Sequence, residues 1–188
     1  MSTTVSDFRL GLAARCLRGG GVVAYPTEAV WGLGCDPWNE AAVDRLLELK
    51  RRRRAQGLIL IAATAEQLTP LLEPLPAEQA DAIRSSWPGP VTWVLPAAPQ
   101  APAWVTGGRR SVAVRVTAHP VAAALCNAWG GPLVSTSANR RCGRPARSAS
   151  AVRRCFGTTI DALVPGAVGA LQRPTPIRDG RTGAYLRS

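Results

Sequence analysis

Along the chain the apolar positions keep changing period, and each change marks an element. Leu10, Leu12, Ala13, Cys16 and Leu17 recur at the spacing of one helix face, with Ser6-Asp7 before them as a cap and Gly19-Gly20-Gly21 after them as a stop. A short strand, VVAYP at 22–26, follows. Val43, Leu46 and Leu47 return to helical spacing within 40–49, whereas LILIAA at 58–63 is the unbroken apolar run of a buried strand. That run leads into Thr64-x-x-Gln67, a capping-box signature that predicts a helix start. The pattern continues with a helix near 77–86, strands VTWVLP at 91–96 and SVAVRVT at 111–117, and a helix opened by Pro120. After these come a strand PLVSTSA at 132–138, a helix after Ser148, and two short strands around Ile177 and Tyr185 joined by DGRTG. The Pro-rich LPAAPQAPAWVTGG reads as a long loop, not as a domain boundary. Helix and strand alternate without internal repeats, which predicts one α/β or α+β domain over the whole chain, built on a twisted mixed sheet.

Composition narrows this picture. A length of 188 residues with 46% hydrophobic residues suffices for one substantial core. No stretch reaches the ~18 apolar residues of a membrane span, and MSTTVSDFRL lacks the basic-then-apolar layout of a secretory signal, so a soluble cytoplasmic protein is expected. The five cysteines, at 16, 35, 126, 142 and 155, form no CxxC pair, and His119 is the only histidine. The reading is reduced, mostly buried thiols, with no zinc site and no disulfide framework. The formal net charge is +11, and of 23 basic residues only Lys50 is a lysine. Such charge suits polyanionic partners, nucleotides or RNA, while so strong an arginine bias also fits codon usage with many solvated arginines.

Three short stretches carry candidate chemistry. In 47-LELKRRRRAQ-56 a helix ending near Leu49 would leave Lys50 and Arg52 in extended chain, projecting to one side, with Arg51 and Arg53 facing away. Two converging cations suit a triphosphate, although the same run equally fits a helix C-terminus favoured by the macrodipole. In 111-SVAVRVT-117 the valines take one face, leaving Arg115 with only Ser111 and Ala113 for neighbours on the other. That arrangement suits a carboxylate, or an edge-strand arginine reaching solvent. In 133-LVSTSAN-139, Ser135, Ser137 and Asn139 share one side at a strand end, as donors for phosphate or ribose oxygens or as local turn formers. The stretch 25-YPTEAVWGLG-34 is no GxxxxGK[ST] phosphate loop. Its glycines read as close-approach or turn positions. His119, before Pro120, reads as a helix-start residue, and acyl chemistry of the Ser-His-Asp kind is not expected.

Taken in order and spacing, YPTEAVWGLG, LLELKxR, GPVTWVLP, SVAVRV and PLVSTSAN resemble the YrdC/TsaC family of threonylcarbamoyl-AMP synthases, from about residue 7 onward. The resemblance implies a twisted mixed sheet flanked by helices around a large basic cavity. It implies an enzyme, a nucleotidyltransferase, that joins L-threonine, bicarbonate and ATP into threonylcarbamoyl-adenylate with release of pyrophosphate. A separate transferase complex then modifies the adenosine next to the anticodon in tRNA. By resemblance Lys50 and Arg52 are catalytic, and with Gln56, Ser111, Ser137, Asn139 and Arg187 they bind ATP, while Thr27, Arg115, Ser135 and Thr175 bind threonine. The chain departs from the family where Arg53 replaces a proline, where Gln56 replaces a lysine or asparagine, and where NRRCGRP carries one extra residue and Cys142.

The mechanism this implies is attack of a threonine carbamate oxygen on the α-phosphorus, with catalysis by positioning and by cations on the leaving pyrophosphate. Mg²⁺ would be held mainly through ATP phosphates and water, with no protein metal site. Two other readings stay open: a double-stranded RNA- or tRNA-binding module without catalysis, using the arginine run with Arg140-Arg141 and Arg153-Arg154, and a carbamoyl-adenylate former of the hydrogenase-maturation type, whose chains are longer and carry zinc-finger cysteines.

Overall fold

The computed structural model describes residues 5–187, so the first four residues of MSTTVSDFRL lie outside the described part. Six α-helices and nine strands are formed among the described residues. They are α1 Asp7–Arg18, β1 Val23–Pro26, β2 Trp31–Gly34, α2 Glu40–Lys50, β3 Ile59–Ala62, α3 Ala77–Arg84, β4 Thr92–Pro96, α4 Ala103–Thr106, β5 Ser111–Val116, α5 Pro120–Trp129, β6 Leu133–Ser137, α6 Ala149–Phe156, β7 Ala162–Leu163, β8 Ile177–Asp179 and β9 Tyr185–Arg187. The strands make one mixed sheet in the order β7-β1-β2-β6-β3-β5-β4-β8-β9. At its centre β3 pairs parallel with β5 and antiparallel with β6.

Register explains how the core splits. Leu60 lies between Val114 and Val134, and this face packs on α2 through Val43, Leu46 and Leu47 and on α6 through Val152 and Phe156. One residue on, Ile61 lies between Arg115 and Leu133, facing the α1/α5 pair through Leu10, Leu17, Val121 and Leu125. Each such fully buried Leu or Ile contributes ~1.5–3 kcal/mol. Along this second face the residues change character toward the other end of the strands. Beyond Ile61 and Leu133 come Ile59, Ala113 and Ser135 in one row, then Gly32 paired with Ser137. Small and hydroxylated residues in place of large apolar ones leave the sheet floor uncovered there, and that is where the site forms.

Several local expectations are revised. Ser6 precedes α1 but its side chain makes no capping bond, and Leu12 points outward, 40% exposed. After β3 the chain forms a 3-10 helix, Glu66–Leu71, rather than a capping-box α-helix. Gln67 Oε1 reaches back to the Ala63 N–H at 2.9 Å, and Pro70 has no N–H to give an α-helix. The Pro-rich stretch contains the short α4. β2 carries no strand signal, because WGLG looks like turn sequence, yet neither glycine has positive φ. Gly34 is glycine because a Cβ there would run into the Val134 carbonyl and the Tyr25 ring.

Candidate functional site

At the end of α2 the chain does not continue extended. Lys50 is the last helical residue, and Arg51 takes a left-handed conformation, φ 54 and ψ 46, with its N–H on the Glu48 carbonyl. This reversal makes Lys50 and Arg52 converge by a different route from the one expected, and it also brings Arg51 and Arg53 to the rim of the same basin instead of turning them away. Arg54 alone of the run is committed elsewhere: its guanidinium binds Asp44 and Glu40, the latter at 2.7 Å. The following turn, with Arg53 where the resemblance implies proline, is held by Arg52 Nη2 on the Gly57 carbonyl at 2.7 Å and by Arg109 Nη2 on the Ala55 carbonyl at 2.8 Å.

Three adjoining compartments lie on the uncovered sheet floor, and Arg52 lines all of them. The smallest, about 150 Å³, is walled by Thr27, Arg115, Ser135, Thr136, Ser137 and Thr175, with Arg187 at its edge. The second, about 600 Å³, is a basin whose ionisable walls are all cationic: Lys50, Arg51, Arg52, Arg53, Arg109 and Arg141, joined by Gln56, Ser137 and Asn139. The third, about 350 Å³, has an apolar floor of Ile59, Val94, Ala113 and Ile177, with Ser111 and Gln56 among its polar groups and Arg52, Arg109 and Arg187 around it. Every residue expected at the site therefore lines this cleft. The sequence missed Thr136, Arg109 and Arg141. Thr136 breaks the Ser135/Ser137 alternation but sits at the strand end, its hydroxyl 3.5 Å from Arg52 Nη1. Arg109 and Arg141 occupy loops with no period to mark them.

Arg115 does not sit over bare space. It is 4% exposed, with Nη2 3.2 Å from Glu28 Oε2 and Nη1 donating to Thr175 Oγ1 at 2.7 Å, while its Nε–H is buried without a partner. Arg52 Nε is likewise buried and unpartnered. Unpaired buried donors are costly, and around a cavity they favour a ligand that brings acceptors. Burial, together with the Arg187 charge, presses the Arg52 guanidinium below its ordinary pKa; burial and the Arg115 charge do the same to Arg187.

The Lys50 ammonium is buried and meets three protein acceptors: the Ser137 carbonyl, the Asn139 carbonyl at 2.9 Å and Asn139 Oδ1 at 3.4 Å. Asn139 Oδ1 also accepts from Ser137 Oγ at 2.6 Å, and its Nδ2 donates to the Gly143 carbonyl at 2.8 Å. The irregular NRRCGRP loop is thus organised around Lys50, and Arg141 N–H donates to the Lys50 carbonyl at 3.1 Å. Burial, with Arg52 beside it, lowers the Lys50 pKa to about 8.

His119 stands directly before α5, as its sequence position suggested; its Nε2 donates to the Ala167 carbonyl at 3.0 Å, and burial holds its pKa down. It lines none of the three compartments. All five cysteines are free, with Cys35 and Cys126 buried but Cys142 exposed in a left-handed conformation. The described residues hold no cluster of three or more His, Cys, Asp or Glu side chains suited to a metal, and no described helix is long and apolar enough to cross a membrane.

Comparison with known proteins gives consistent matches over nearly the whole chain. The Sua5/YciO/YrdC family model, described as telomere recombination, matches residues 15–188. A threonylcarbamoyl-AMP synthase of Halorhodospira halophila is 71% identical over 180 residues, covering 96% of this chain and 94% of that protein. A threonylcarbamoyl-AMP synthase of Alkalilimnicola ehrlichii is 58% identical over 188 residues, covering 98% of each. Among solved structures, P. abyssi Sua5 complexed with L-threonine superposes with a TM-score of 0.89 at 34% identity, covering 95% of this chain. This chain spans about half of that one, 53% of its length.

Proposed function

The chain belongs to the Sua5/YciO/YrdC family, and from that premise we propose that it is an L-threonylcarbamoyladenylate synthase, a nucleotidyltransferase that makes threonylcarbamoyl-AMP for tRNA modification. Threonine, bicarbonate or CO₂, and ATP are its substrates, and a transferase complex receives its product in the cytoplasm. The observation that carries the reading is the position of Arg52, shared by a small donor-lined cavity, a cationic basin and an apolar-floored slot. These suit, in turn, an amino acid, a polyphosphate and a nucleoside. The relatives named threonylcarbamoyl-AMP synthase favour this reading over an RNA-binding module without catalysis.

In this reading Arg115 takes the threonine carboxylate, with Thr27, Ser135 and Thr175 around the rest of the molecule. The neutral threonine amine adds to CO₂ and releases a proton to solvent to give a carbamate, and a carbamate oxygen forms a bond to the α-phosphorus as the bond to pyrophosphate breaks. Pyrophosphate departs with its electron pair toward the basin, where Arg52 and its neighbours offset the developing charge. Ser137 and Asn139 border the phosphates, and Gln56, Ser111 and Arg187 border the nucleoside. The cationic donor set does not fit a resident metal; Mg²⁺ enters as part of the ATP substrate, held by phosphate oxygens and water. Lys50, its protons engaged by Ser137 and Asn139, contributes its charge and the shape of that turn.

The test is incubation with ATP, Mg²⁺, bicarbonate and labelled threonine. Pyrophosphate and a labelled AMP adduct are expected, both lost when bicarbonate is withheld; RNA binding with no threonine-dependent pyrophosphate would overturn the reading. A pH profile adds a second check. The free enzyme's Lys50 is protonated below about 8 and neutral above it, so kcat/KM for ATP should fall by up to about tenfold per pH unit above that point. Stability should move the other way, rising between about 8 and the ordinary lysine value of 10.5, because the unfolded chain binds more protons there. A flat kcat/KM profile through that window would remove the role given to the Lys50 charge.

A further inference from the structure

Glu28 is a buried carboxylate that lines none of the three compartments, yet it touches the residue on which threonine recognition turns. It sits in the turn between β1 and β2, 7% exposed. Its Oε1 accepts from Thr117 Oγ1 at 2.6 Å and from the Ala118 N–H at 3.2 Å. Thr117 Oγ1 in turn accepts from the His119 N–H at 3.1 Å, which fixes its hydroxyl proton on Glu28. The second oxygen, Oε2, is buried without a hydrogen bond and stands 3.2 Å from Arg115 Nη2, an ion-pair contact outside hydrogen-bond geometry. One oxygen is therefore anchored by β5's own continuation, and the other is offered to an arginine two residues earlier on the same strand.

The main chain around Glu28 ties this pair to a third segment. The Thr27 and Glu28 carbonyls accept from Gly169 and Leu171 at 2.9 and 3.2 Å. A Cβ on Gly169 would lie 2.6 Å from the Glu28 carbonyl oxygen, so the segment that leads to Thr175 can run this close only as glycine. Arg115 is consequently flanked on two sides, by the Glu28 charge beside Nη2 and by a hydrogen bond from Nη1 to Thr175. Its Nε–H has no protein partner, and the side chain lines the small cavity.

From this geometry we infer that Glu28 is a positioning residue for threonine: it sets the plane of the Arg115 guanidinium and neutralises that cation in the empty enzyme, presetting the carboxylate site. An arginine this buried without a counter-charge would be expensive to hold, and one without an orienting partner would lose rotamer definition and with it bidentate geometry. The inference rests on the reading of the small cavity as the threonine compartment.

The test is Glu28→Gln, which keeps size and, with its carbonyl as the acceptor for Thr117 and Ala118, replaces the charged oxygen beside Arg115 with an uncharged NH₂ group. KM for threonine should rise by about tenfold or more, with kcat within about threefold and KM for ATP unchanged. Calorimetric titration of wild type and variant with L-threonine, and thermal melts of both, accompany the kinetics. Thr117→Val, which leaves the charge but removes one of its two anchors, should raise KM for threonine in the same direction by less. Unchanged threonine KM in Glu28→Gln, or equal losses toward threonine and ATP, would overturn the inference. Absence of threonine binding by the wild-type protein would instead sink the functional reading on which it rests.

Discussion

Arg115→Ala is expected to lower kcat/KM for threonine by about 10²- to 10³-fold, corresponding to ~2.7 to 4 kcal/mol, when pyrophosphate release is followed against threonine concentration. The side chain is buried, lines the small cavity and carries an unpartnered N–H, so its loss removes the cavity's buried cation. A second cost falls on the fold. Glu28 would be left as a buried carboxylate with no cation beside it, and breaking one side of such a pair typically costs ~3 to 5 kcal/mol. The two losses separate in the double substitution Glu28→Gln/Arg115→Met, which removes both charges. It should recover much of the stability in a denaturant titration while threonine turnover stays lost. Wild-type threonine kinetics in Arg115→Ala would show that the carboxylate is held elsewhere.

Lys50→Arg keeps the charge and is nonetheless expected to lose adenylate synthesis by a comparable ~2 to 4 kcal/mol. The ammonium sits where two main-chain carbonyls and an amide oxygen converge, which suits a compact donor with three protons around one atom. A planar guanidinium spreads its donors over a wider fork and would push the Ser137–Asn139 turn out of place. That turn borders both the small cavity and the basin through Ser137, so KM for ATP and kcat should both suffer. Turnover close to wild type in Lys50→Arg would refute the convergence argument.

Much of this was legible in the residues because the sheet obeys simple parity. The alternation of 111-SVAVRVT-117 correctly sent three valines to the α2 side and Arg115 to the other. The same counting put Ser135 and Ser137 on the cleft. Parity failed where the chain turns. Nothing in KRRRR reveals that Arg51 adopts a left-handed conformation, and that single residue changes which arginines meet the basin. Glu28 was visible as a carboxylate within YPTEAVWGLG, but its partner lies 87 positions away (115 − 28) and only folding brings the two together. Long-range side-chain pairing of this kind leaves no local period to read.

The small cavity is bordered by Thr27 at one end of the sequence and by Thr175 and Arg187 at the other, with Arg115 and Ser135 between. In folding terms such a site has very high contact order: loop closures spanning most of the chain must come before the first productive encounter with substrate. No partly folded intermediate would hold a working fragment of it. Conversely, ligand captured there clamps distant segments together, so substrate occupancy should slow unfolding of the molecule as a whole and not merely quiet one loop.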